Sequence, residues 1–197
     1  MRFKPFKILK IVTSLFNKMK RQDIVNFESG QVVVSDPCYN LPISGPEGYQ
    51  GIINLEPGKY IVNISYINDR ISELEILKKG FNGSTRWEEL IHDDICVDSG
   101  QCGFFDTDYY QKDQYYTNLD RISSIIIRED EPFYSICSDR TLSEDQWGII
   151  PHGVVSSSGY GDGSYSLYGI YDKKNTDINR KLIGAALVFI DDIDEID

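Results

Sequence analysis

Three short segments of this 197-residue sequence set a carboxylate among turn-forming and aromatic residues. Acid–base sites, oxygen-ligand cation sites and buried loop locks are all built from that combination. The first segment is Ser35-Asp36-Pro37-Cys38-Tyr39. Pro37 steers Asp36 away from helical angles and fixes the next backbone dihedral, so the Asp36 carboxylate and the Cys38 thiol are held at the exit of the apolar run Val32–Val34. The second runs Val97-Asp98-Ser99-Gly100-Gln101-Cys102-Gly103, with Phe104-Phe105-Asp106 after it. An Asp-Ser-Gly triplet between two apolar runs makes a tight turn whose carboxylate can accept backbone N–H bonds. The third is Ser158-Gly159-Tyr160-Gly161-Asp162-Gly163-Ser164-Tyr165, where alternating glycines permit positive φ and close backbone approach, with Asp162 at the tip.

Two chemistries compete for these aspartates. Converging on one point, Asp36, Asp98 and Asp162 would offer oxygen ligands to Ca²⁺ or Mg²⁺, or a carboxylate pair for acid–base work. Kept apart, each would bond its own backbone and lock a loop without any ligand. The catalytic candidates are thus Asp36, Cys38, Asp98 and Asp162. No fixed-spacing metal motif supports the first reading: there is no EF-hand loop, no His-Glu-x-x-His, and only two histidines, His92 and His152. The four cysteines, Cys38, Cys96, Cys102 and Cys137, form no CxxC pair, so neither zinc nor a disulfide framework is expected. Cys38 with His152 and a carboxylate would compose a thiol hydrolase site, against which stands cysteine's common role as a small buried hydrophobe. Ser156, Ser157 and Ser158 lack the Gly-x-Ser-x-Gly spacing of a nucleophile elbow. The glycines at 159, 161 and 163 do not make Gly-x-Gly-x-x-Gly, and strand-forming residues follow them, so a dinucleotide cradle is disfavoured.

Taken in order, Ser35-Asp36-Pro37-Cys38-Tyr39, Gly58-Lys59-Tyr60, Val97-Asp98-Ser99-Gly100-Gln101, Asp106 and Ser158 to Tyr165 resemble the domain of unknown function 4241 family. The resemblance spans about residues 25–190 and carries no established activity. It implies that Asp36, Cys38, Asp98, Asp106 and Asp162 belong to one motif set. Cys102 stands where the family pattern more often has a small apolar residue, and is not assigned as a site thiol. Within the motif loops, the residues expected to contact a ligand are Asp36, Tyr39, Asp98, Ser99, Asp106, Tyr160, Asp162 and Tyr165. Neither a cofactor nor a choice between a small-molecule and a protein partner follows.

The elements that must position these loops read as short strands. At 41% hydrophobic and 26% charged residues the chain has a globular composition, which excludes general disorder. Candidate strands are Gln31–Ser35, Lys59–Ile67, Ser72–Lys78, Ile95–Val97, Gln101–Phe105, Ser123–Arg128, Gly153–Ser157, Ser164–Tyr171 and Leu182–Ile190. Tyr60, Val62, Ile64 and Tyr66 share one face of the second, which predicts a half-buried strand, while the nearly unbroken apolar run Leu182–Ile190 suits a central one. Trp87–Ile91 and Asp106–Leu119 read as helical or irregular insertions, and no internal repeat is evident. The expected fold is a single mainly-β domain over residues 23–190, an antiparallel sandwich or partly closed barrel with one or two short helices.

Charge divides the chain. Residues 1–22 carry seven cations and no acid, which leaves 13 cations against all 31 acids beyond them, a net of −18. That body should repel nucleic acid, and its tyrosines and tryptophans are expected to pack rather than stack on bases. In the basic arm, Ile8, Ile11, Val12, Leu15, Phe16 and Met19 recur at helical spacing, which fits a docked helix, a leader, or a membrane-surface contact. With no signal-peptide pattern, a cytoplasmic address is expected; the tripeptides Asn63-Ile64-Ser65 and Asn82-Gly83-Ser84 are the contrary hint. The ending, residues 191–197, has five acids in seven positions and reads as a solvated tail.

Overall fold

Alternating and continuous apolar runs become strands of two antiparallel sheets in the computed structural model of the chain, which describes residues 23–40, 51–117, 119–120, 122, 130–175 and 181–190, with backbone alone at 91–94. The six-stranded sheet has the order β1 (Asp23–Phe27), β4 (Gly58–Ile67), β5 (Arg70–Lys78), β11 (Gly184–Val188), β10 (Gly163–Asp172), β6 (Thr85–Val97). The five-stranded sheet has the order β3 (Gly51–Asn54), β2 (Gln31–Ser35), β7 (Gln101–Asp106), β9 (Gly153–Ser157), β8 (Trp147–Ile150). One α-helix, α1 (Pro132–Thr141), and a 3₁₀ turn at Asp113–Tyr115 complete the described elements. None of the described helices is long and apolar enough to cross a membrane. The basic arm, the candidate strand Ser123–Arg128 and the acidic tail lie outside the described residues.

Burial follows side-chain alternation. In β4, Tyr60, Val62 and Ile64 turn into the core while Lys59, Ile61 and Asn63 are less covered. The five-stranded sheet is different because both of its faces are covered. Val32, Val34, Cys102, Phe104 and Val154 face the six-stranded sheet. Their neighbours Val33, Phe105 and Val155 turn outward to Phe133, Ile136 and Cys137 of α1 and to Tyr110 and Tyr116. The molecule is therefore a sandwich with a third layer, and every residue of β7 is buried. Two covered faces explain why Val32-Val33-Val34 and Phe104-Phe105 are continuous apolar runs rather than alternating ones.

The structure corrects the sequence reading at several elements. Trp87–Ile91 is not an insertion: it lies in β6, where Trp87 pairs with Ile170 and packs its ring 6.2 Å from Tyr168. Glu88 and Glu89 are good helix formers, and cross-strand pairing overrides that local preference. Strands β1, β3 and β8 are edge strands of four or five residues, too short to display a periodicity. Helix α1 carries a start signal that the strand pattern masks, Pro132 at its first turn. Phe133, Ile136 and Cys137 follow at helical spacing and form its buried face.

Close packing of β7 against β9 leaves no room at Gly103. A Cβ there would lie 2.3 Å from the Val154 carbonyl oxygen and 2.8 Å from the Phe105 ring. Gly103→Ala should therefore lower stability by about 3 kcal/mol, near the upper range for an overpacked core. Urea unfolding of the variant, at unchanged m-value, checks it.

Candidate functional site

The three motif segments meet because the strands that carry them are neighbours. Ser35 of β2 pairs with Gly103 of β7, and Gln101 of β7 pairs with Ser157 of β9. The exit of β2, the turn before β7 and the exit of β9 are thereby placed at one end of the five-stranded sheet. There the Asp36 carboxylate, fully buried, accepts the backbone N–H groups of Cys38 at 2.8 Å, Asp98 at 2.9 Å and Ser99 at 2.7 Å, and the Ser99 hydroxyl at 2.6 Å. The glycine-rich loop joins through the Ser158 N–H, which donates to the Gly100 carbonyl. The Tyr165 hydroxyl closes that loop on the carbonyls of Ser158 and Gly161, at 2.8 and 2.7 Å.

At the opposite end of the same strands the arrangement recurs. Asp106, also fully buried, follows β7 and grips the turn before β2: its Oδ2 accepts the N–H groups of Glu28 at 2.6 Å and Ser29 at 2.9 Å, and its Oδ1 that of Asp108. Each strand thus ends in an aspartate that holds the turn preceding the other. This reciprocity is written in the chain. Glu28-Ser29-Gly30-Gln31, Asp36 and Tyr39 return seventy residues later as Asp98-Ser99-Gly100-Gln101, Asp106 and Tyr109. Gly30 and Gly100 both have φ of +73°, the left-handed conformation that the shared turn requires. The tyrosines match too: the Tyr109 hydroxyl donates to Glu28, and the Tyr39 hydroxyl bonds Asp98. In the β2–β7 ladder Val34 faces Phe104, its own counterpart in the repeat, so the pair sits on a local twofold axis. An internal repeat is therefore present, contrary to the sequence reading, and its shared Ser-Gly-Gln, Asp and Tyr spacing was the available signal.

The other expected site residues are dispersed. Asp98 and Asp162 are exposed and Asp36 spends its oxygens on N–H donors, so the three do not converge. Among the described residues no group of three His, Cys, Asp or Glu side chains is placed to hold a metal ion. Tyr160 is exposed, with the Arg70 guanidinium 5.3 Å from its ring centre. Nor do Cys38 and His152 form a pair. His152 lies at the Asp106 end, stacked on Tyr109 with ring centres 3.4 Å apart, its Nδ1 3.8 Å from Glu28. Cys38 reaches the surface, yet partial burial of its thiol, hydrogen bonding to Asp36 and the charges of Asp36 and Asp98 push it up to about 12. A thiol so protonated at neutral pH is a poor nucleophile. Alkylation of Cys38 by iodoacetamide should therefore be slow at pH 8 and accelerate only as pH rises toward that value. A rate plateau reached by pH 9, measured by mass spectrometry, would contradict this.

Beside the Asp36 lock, and unsuspected from the sequence, opens a cleft of about 460 Å³. Pro37, Cys38 and Asn40 form one wall, and Gln111 and Asp113 the second. The third is the start of α1, with Asp130 and Glu131 ahead of Phe133 and Tyr134. The first two walls are the chain tails that leave the two aspartate locks, and they are pinned to each other. Gln111 Nε2 donates to the carbonyls of Pro37 and Tyr39, at 3.1 and 2.9 Å, and the Tyr110 hydroxyl donates to that of Tyr39 at 2.7 Å. Gln111 adopts φ of +55°, a costly angle for a non-glycine residue that these bonds maintain. Asp113 ties in the helix by accepting the Phe133 N–H at 3.1 Å. The cleft is accordingly preformed, with walls fixed by side-chain-to-backbone hydrogen bonds.

Fold and site together define a three-layer β-sandwich protein whose paired strands are locked at both ends by buried aspartates and whose locked tails frame a polar cleft. No protein-family model, no curated protein and no solved structure matches the chain.

Proposed function

We propose that the protein is a binding module: the aspartate locks hold two chain tails in place, and a ligand occupies the cleft between those tails and α1. The observation that carries this reading is the duplication. The same bond set surrounds Asp36 beside the cleft and Asp106 at the far end of the strands, so the shared feature is the lock rather than a reaction. A cleft of about 460 Å³ lies in the range of small-molecule and side-chain pockets. Membership of the domain of unknown function 4241 family is part of the proposal, resting on the three motifs. A cytoplasmic location is proposed as well, supported by four cysteines that are all free thiols.

The test is a ¹⁵N NMR screen of the full chain against a fragment library of neutral, cationic and anionic compounds. Binding predicts saturable shifts confined to residues 37–40, 111–113 and 130–134. A screen with no saturable response there contradicts the proposal.

A further inference from the structure

We infer that the basic N-terminal arm docks as an amphipathic helix on the outer face of the six-stranded sheet. Strand register identifies the docking surface. Followed from partner to partner, Ile24 of β1 leads to Ile61, Leu77, Gly184, Ile170 and Trp87, one row that crosses all six strands. Directly paired residues share a face, and the chain neighbours of this row, Val62, Ile76 and Ala185, fill the sandwich core, so the row points away from that core. The outer side of an antiparallel sheet is ordinarily polar. Here Ile24 is 45% exposed, and Ile61, Leu77 and Trp87 are half-buried. No described strand or helix is placed over them, because the five-stranded sheet fills the opposite face and α1 packs on the far side of that sheet.

The arm fits this surface in position, length and charge. It ends at residue 22, directly before β1, which is the edge strand where the row begins. A helix from Ile8 to Met19 is about 18 Å long, the width of the four strands β1, β4, β5 and β11 at about 4.8 Å each. Residues 20–22 are left to turn the chain back. Ile8, Val12, Leu15 and Met19 then form the stripe that meets Ile24, Ile61 and Leu77. Beside the row, the same face carries Glu73, Glu75, Glu89 and Asp172 against the cations Lys59 and Lys79, while the arm has seven cations and no acid. Opposite charge steers the arm to this face, and apolar burial holds it there. Other segments outside the described residues fit less well. Residues 123–129 leave from Ile122, bonded to Asp139 of α1, and return to the start of the same helix. The tail 191–197 has five acids, which the carboxylates of this face repel.

The experiment is methyl NOE spectroscopy of the full chain, with Leu15→Glu and Leu15→Met alongside. The wild type should show NOEs from the methyl groups of Ile8, Val12 and Leu15 to those of Ile24, Ile61 and Leu77. Leu15→Glu should abolish them and lower the melting temperature by about 5 °C, whereas Leu15→Met should keep both near the wild type. A sample mixed from labelled and unlabelled chains, and a sample with anionic phospholipid vesicles, test the competing occupants. NOEs that cross between labelled and unlabelled chains would assign the face to a second copy and overturn the inference. So would arm contacts that form only with vesicles, arm methyls packed on another surface, or a melting temperature unchanged in Leu15→Glu.

Discussion

Asp36→Ala should lower the stability of the protein by about 4 kcal/mol, a large share of the margin of an ordinary domain. Three backbone N–H groups and the Ser99 hydroxyl converge on this one carboxylate. Alanine leaves those donors facing a cavity, and each unsatisfied buried donor costs about 1–3 kcal/mol, less where water enters the loop. For a chain of this size the melting temperature should drop by about 10 °C. Asp36→Asn should recover part of the loss, because the amide keeps one acceptor but turns an NH₂ group toward N–H donors. Exposed Asp98 and Asp162 set the contrast: Asp98→Asn and Asp162→Asn should each cost under about 1 kcal/mol. Thermal unfolding of the four variants checks the ranking. Comparable losses at Asp98 and Asp36 would refute the assignment of the lock to Asp36.

Asp106→Ala should be nearly as damaging, at about 3 kcal/mol, because three N–H groups lose their acceptor there. Its signature should differ in place. The turn at Glu28–Ser29 joins the two sheets, since β1 lies in the six-stranded sheet and β2 in the five-stranded one. Loosening it should also free the stacked pair Tyr109 and His152 beside it. Circular dichroism melts give the stability loss, and the His152 ring resonances report the unstacking. Retention of wild-type His152 shifts in a destabilised variant would contradict the described geometry.

Much of the fold was legible because apolar runs and turn residues alternate clearly in β2, β4, β5, β7, β9 and β10. The meeting of the three motif loops followed from antiparallel neighbours once those strands were paired. What stayed hidden has specific causes. Glu28 and Ser29 carry no such signal because their turn contains no aspartate, although it is the partner of the Asp98-Ser99 turn. Asp36 and Asp106 looked no different from Asp98 and Asp162, since burial of a carboxylate depends on which backbone N–H groups the topology delivers to it. Tertiary pairing made a strand of Trp87–Ile91 against its local preference. The cleft needs Gln111 and the start of α1 brought to residues 37–40, and no local pattern announces that contact.

Native-state hydrogen exchange of the backbone amides of Asp98, Ser99, Glu28 and Ser29 tests the central claim most directly. These amides sit in surface turns, where exchange is ordinarily fast. If the two buried aspartates are reciprocal locks, all four should be strongly protected in the wild-type protein. In Asp36→Ala, protection should vanish at Asp98 and Ser99 and persist at Glu28 and Ser29. Fast exchange at these positions in the wild type, or equal loss at both ends in the variant, would contradict the account.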